Sequence, residues 1–96
     1  MTVYRLKPRA ARDISEIWDY TLKQWGLRQT EIYLAQIRTC FELVAGEPDI
    51  GRKCDDIRLG YRKILVGSHV IFYRLQGSDV EIIRVLHQKM DLERYL

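Results

Sequence analysis

Metal-binding, nucleotide-binding and membrane-spanning signatures are all missing from this chain. Only two cysteines, Cys40 and Cys54, occur among 96 residues, and their spacing matches no zinc motif. They read as free thiols in a reducing compartment. The two histidines, His69 and His87, come without an HExxH pattern or a Cys/His cluster, so no metal is expected. There is no glycine-rich phosphate loop, which removes the basis for nucleotide hydrolysis or dinucleotide binding, and no cofactor is expected. Ser68 precedes His69 directly, an adjacency that does not make a serine-hydrolase triad. No apolar run approaches the ~20 residues that span a bilayer, and MTVYRLKP holds no secretory h-region, so the expectation is a cytoplasmic protein with no membrane partner.

What is present fits one domain, residues 1–96. Nearly half of the residues are apolar, which excludes a disordered tail. Sixteen basic against thirteen acidic side chains give a formal charge of +3. From Gly51 onward, Arg52, Lys53, Arg58, Arg62, Lys63, Arg74, Arg84, Lys89 and Arg94 outnumber the acids. A small sheet studded with cations needs an acidic partner, an anionic substrate or both.

The periodicity predicts an α+β chain in the order β-α-α-β-β-β. Thr2 to Lys7 alternates as a first strand, and Pro8 suits a helical first turn. Ala11, Ile14, Ile17, Trp18, Thr21 and Trp25 recur at helical spacing up to Gly26. Glu31 to Ala45 repeats the pattern with Tyr33, Leu34, Ile37, Phe41 and Val44, closed by Gly46 and Pro48. The short connection favours an antiparallel helical hairpin that covers one sheet face, with Trp18, Trp25 and Phe41 in the core. Asp49 to Leu59 reads as irregular, with Asp55 or Asp56 capping a turn or meeting Arg58 or Arg62. Three strands follow, Tyr61–Val66, His69–Leu75 and Val80–Leu86, joined by tight turns into an antiparallel meander; Gly67-Ser68 has the glycine that a type II′ turn wants.

One enzymatic chemistry fits these residue types. RNA cleavage through the 2′-hydroxyl needs no metal, only a base, a proton donor and cations around the phosphate. His87 can shuttle the proton, and Arg62, Arg74 and Arg84 can hold the phosphate. Against this, Arg74 can instead bridge to Glu81 or Asp79 across its hairpin. Whether Arg62 and Arg74 share a face depends on strand register, which sequence leaves open.

Three stretches carry a family resemblance: LKPRAARDISEIWDYTLKQWG, residues 6–26; EPDIGRKCDDIRLGYRKILVGSHVIFYR, residues 47–74; and VEIIRVLHQKMDLERYL, residues 80–96. In combination they resemble ParE-type toxins of the RelE/ParE superfamily, the toxin halves of type II toxin–antitoxin pairs. The resemblance implies a RelE/ParE-like fold, a helical hairpin on a small antiparallel sheet. It implies a toxin that poisons DNA gyrase by protein–protein binding. It also implies a ParD-like antitoxin in a toxin–antitoxin hetero-oligomer, with DNA contact indirect, through the antitoxin or gyrase. RelE-type relatives cut mRNA on the ribosome, and that ribosome-dependent endoribonuclease is the alternative, with His87, Arg62, Arg74 and Arg84 as its residues. The tail HQKMDLERYL lacks the clustered lysines and terminal catalytic tyrosine of those relatives. No catalytic residue is therefore assigned, and the expected toxin is not an enzyme.

Overall fold

A computed structural model describes residues 3–96. Strand β1 (Tyr4–Leu6) leads into helix α1 (Pro8–Trp25) and helix α2 (Leu27–Gly46). A single 3-10 turn (Pro48–Ile50) precedes β2 (Arg52–Lys53), β3 (Tyr61–Val66), β4 (His69–Gln76) and β5 (Asp79–His87), and a last helical turn, α3, spans Leu92–Tyr95. The expected order holds, with β2 and α3 added. Thr2, expected in the first strand, lies outside the described residues.

Pro8 starts α1 because its missing N–H falls where a helix has no partner for one, and its fixed φ is already helical. The hairpin joint is Gly26 alone, whose φ of +86° suits glycine. Helix α2 consequently begins at Leu27 rather than at Glu31. The buried stripe of α1 is Ala10, Asp13, Ile17 and Thr21, one position round from the expected face: Ala11 is exposed and a carboxylate sits inside. Trp25 is also misplaced by the apolar pattern. It stands at the hairpin tip, 69% exposed.

The sheet runs β1-β5-β4-β3-β2. The meander is antiparallel as expected, whereas β1 joins β5 in parallel through Tyr4↔Val80 to Leu6↔Ile82. The β3–β4 turn has Gly67 at φ +55° and no positive φ at Ser68, the type II′ pattern. A Cβ on Gly67 would come within 2.5 Å of the Tyr33 ring, so that turn needs glycine twice over.

Alternation along the strands gives the sheet two apolar faces. Ile71, Tyr73, Val80, Ile82 and Val85 pack under the helical hairpin with Ile17, Ile37, Phe41 and Val44. Val70, Phe72, Leu86 and Cys54 face the other way and are covered by Met90, Leu92 and Leu96. The tail that reads as merely charged thus lays its apolar residues over the second face. Cys40 packs against the first cluster and Cys54 belongs to the second, so the sheet separates two free thiols. Burial raises the pKa of both, which makes them poor thiolates. No helix of the described residues is long and apolar enough to cross a membrane.

Candidate functional site

The β5 strand carries the feature that shapes the site. Phe72 pairs with Arg84 and Tyr73 with Ile82, so Ile83 is an extra residue, a bulge. The bulge falls where β1 runs out, because Ile82 is the last β5 residue that β1 pairs. Beyond it the outer edge of β5 has no strand neighbour. Asp13 of α1 fills that gap: its carboxylate accepts the Val85 N–H at 2.9 Å, Arg84 Nε at 2.7 Å and Arg84 Nη2 at 2.8 Å. Arg84 Nη1 also donates to the Tyr95 carbonyl at 2.8 Å, which ties α3 to the same point. The hydrogen bonds that Arg84 donates to Asp13 hold its guanidinium protonated more firmly than usual.

A cleft of about 830 Å³ opens beside this clasp, between the hairpin and the end of β5. Its walls include Ile17, Tyr20, Trp25 and Ile32 from the helices and Met90 from the tail. His69 and His87 stand at its floor. They are directly opposite each other on β4 and β5, with ring centroids 5.3 Å apart and planes at 79°. The Tyr33 hydroxyl lies 2.5 Å from His69 Nδ1 and accepts the Ser68 N–H at 3.2 Å. Burial, with His87 alongside, lowers the pKa of His69, while Asp13 works against that shift. His87 Nδ1 accepts the Lys89 N–H at 3.1 Å, so a neutral ring carries its proton on Nε2.

The four residues expected to act together are dispersed. Arg84 and His87 line the cleft. Arg62 lies two strands away, bonded to the Gly51 carbonyl at 2.8 Å and paired with Asp49 at 3.5 Å. Arg74 donates Nε to Glu81 Oε1 at 2.8 Å, the cross-hairpin bridge that its sequence position allowed. Arg62 opposes Tyr73 and Arg74 opposes Tyr61, so these two arginines leave the sheet on opposite faces. All three guanidiniums are held by a carboxylate, and none is free beside His87. Among the described residues no three His, Cys, Asp or Glu side chains converge as a metal-ligand set.

Residues 4–92 match the family described as "ParE toxin of type II toxin-antitoxin system, parDE". The chain belongs to the ParE toxin family. Toxin ParE1 of Mycobacterium tuberculosis is 47% identical over 94 residues, covering 97% of this chain and 96% of that protein. Toxin ParE1 of Caulobacter vibrioides is 43% identical over 96 residues, covering 100% of this chain and 99% of that protein. A solved chain of the chromosomal ParDE system from P. aeruginosa superposes with a TM-score of 0.77 at 17% identity, over 91% of this chain and 95% of that one, and so shares the fold. The RelE/ParE-like architecture implied by the resemblance is thus the one observed.

Within this ParE fold, sequence reasoning missed Asp13 and Tyr33. Asp13 had a signal, since it lies four residues before Ile17 and three after Ala10, a carboxylate on the apolar stripe of a helix. Tyr33 had none, because its partners Ser68 and His69 are more than thirty positions away.

Proposed function

We propose that this chain is the toxin of a two-component system and arrests growth by binding DNA gyrase, with a ParD-like antitoxin as its neutralising partner in a hetero-oligomer. The observation that carries the non-enzymatic half of the reading is the pairing of Arg62, Arg74 and Arg84 with Asp49, Glu81 and Asp13. A phosphate-cleaving site needs donors aimed at the developing charge before the reaction begins. Here those donors point at the protein's own carboxylates. The antitoxin half is supported by the cleft: exposed Tyr20, Trp25 and Ile32 offer apolar anchors along a helical hairpin, beside the end of β5 that β1 leaves without a strand neighbour. A segment disordered when free, folding against these surfaces, would bury them.

The alternative, a ribosome-dependent mRNA endoribonuclease, is favoured by one observation, the His69–His87 pair at the floor of the cleft. One experiment separates the two. Purified chain is added to a gyrase supercoiling and cleavage assay, and to a translation extract read by primer extension. Trapped DNA–gyrase complexes with intact mRNA are expected. In cells, His87→Gln, shown to be folded and bound by the antitoxin, is expected to arrest growth within a few-fold of the parent. General acid catalysis contributes ~10²–10⁴ in rate, so a nuclease would lose most of its effect. Codon-specific mRNA cuts that vanish in the folded His87→Gln variant would overturn the proposal.

A further inference from the structure

Like charges face each other across strands at one place in the sheet. In the β2–β3 pair, Arg52 lies opposite Lys63 and Lys53 opposite Arg62. These are the only cross-strand pairs of Lys and Arg among the described residues. Directly opposed like charges destabilise a sheet. Arg62 has Asp49 to answer it, but Arg52, Lys53 and Lys63 make no ion pair among the described residues.

Residues 52–63 carry five Lys and Arg against Asp55 and Asp56, a net +3, which equals the charge of the whole chain. The remaining residues therefore balance to zero. Of the two acids, Asp55 is engaged within the turn, where it accepts the Gly60 N–H at 2.9 Å. Leu59, in the same turn, is 87% exposed, more than any other large apolar side chain described.

The placement of these cations argues for a particular partner. Cross-strand partners share a face and successive residues alternate, so Arg52 and Lys63 leave one side of the ribbon while Lys53 and Arg62 leave the other. An acidic peptide lying on one side would meet one pair only. A duplex groove has phosphates on both walls, about 12 Å apart in the major groove, so a sheet edge with cations on both faces, β2 outermost and β3 joined behind it to β4, meets both. Leu59, exposed in the turn that joins the two strands, is then available to base edges, where a thymine methyl offers contact.

We propose that the β2–β3 ribbon, from Arg52 to Lys63, is a direct binding site for duplex DNA, with Arg52, Lys53 and Lys63 on the phosphates and Leu59 at the base edges. This adds a direct contact to one expected only through antitoxin or gyrase, and it stands apart from the gyrase reading.

The test is anisotropy of a labelled duplex with the full chain, titrated with salt and with no gyrase present. Binding at low salt is expected, and log K should fall against log salt with a slope of about −3, near −0.9 per phosphate contact. The triple variant Arg52→Gln, Lys53→Gln, Lys63→Gln should flatten that slope by most of its value. Leu59→Ser should weaken binding several-fold with the slope unchanged. A control that removes Arg9, Arg12 and Lys23 from the outer face of α1 should leave the slope in place. The inference is overturned by absence of duplex binding at low salt, by equal loss in the α1 control, or by polyglutamate binding in place of DNA. A chain that traps gyrase while failing to bind the duplex alone would sink this inference and leave the proposed function standing.

Discussion

The two ends of the sheet use the same residue type to opposite effect. On β5, Arg84 is almost enclosed, and its guanidinium is matched atom for atom by Asp13 and the Tyr95 carbonyl. At the opposite edge, on β2 and β3, cations face cations across the ladder and three of them make no ion pair among the described residues. An internally answered arginine is a structural joint. An unanswered one is surface offered to something else. Counting basic residues along a sequence cannot distinguish the two, although the net charge of both ends together is what a composition reports.

The largest expected effect lies at the answered end. Asp13 and Arg84 side chains are only 8% and 13% exposed, so removing one strands the other. Asp13→Ala is expected to cost about 3–5 kcal/mol in urea unfolding, since it leaves a buried guanidinium and the Val85 N–H without their acceptor. Replacing both partners, Asp13→Leu with Arg84→Met, should cost clearly less than Asp13→Ala alone, because the desolvation penalty disappears with the charge. Equal losses in the two variants would mean that the pair is a net source of stability in itself.

A smaller effect comes from the floor of the cleft next to that joint. His69 has a pKa below its ordinary 6.5, and the groups facing it are His87, Tyr33 and Asp13. An unfolded chain therefore takes up this proton before the folded one does. The stability that His69 contributes is present above about pH 6.5 and is lost as pH falls from there towards its folded value. Glu81, whose pKa is lowered by its hydrogen bond from Arg74, adds its own loss only below its ordinary 4.5. Unfolding midpoints measured from about pH 7.5 down to about pH 5.5 should fall, and His69→Gln should flatten the decline. A decline of the same size in His69→Gln would assign it elsewhere.

Much of this was legible from the chain. Both helices follow from their apolar spacing, and the meander follows from alternation between glycine turns, because those signals are local. What failed was long-range. Trp25 has the spacing of a core residue, but it ends the helix at the hairpin joint, where its side chain is largely exposed. Arg52 and Lys53 looked irregular, since two residues are too few to show a period, and they became a strand only because Lys63 and Arg62 pair with them. Asp13 could be marked as anomalous on its stripe, but its role required knowing that β1 stops at Ile82 and leaves β5 one acceptor short. The candidate cluster of three arginines and His87 dissolved for the same reason: register and bulge decide which faces meet, and neither is written in any one strand.

The smallest expected effect bears most directly on the contrast between the two edges. Arg5 on β1 is paired with Asp79 at 3.2 Å, whereas Arg52 on β2 faces Lys63. Both arginines are exposed edge residues, so reversal of charge should carry little packing cost at either site. Arg5→Glu turns an attraction into a repulsion, and Arg52→Glu does the reverse. Cross-strand charge pairs contribute roughly 0.2–1 kcal/mol, so Arg5→Glu should lose about that much stability and Arg52→Glu should gain it. At about 1 M salt, where the screening length shrinks to about 3 Å, both differences should fade. The stabilised Arg52→Glu chain should at the same time bind duplex DNA more weakly. If Arg52→Glu were neutral or destabilising at low salt, the β2–β3 cations would already be compensated within the fold, and the repulsion that motivates a DNA-binding ribbon would not exist.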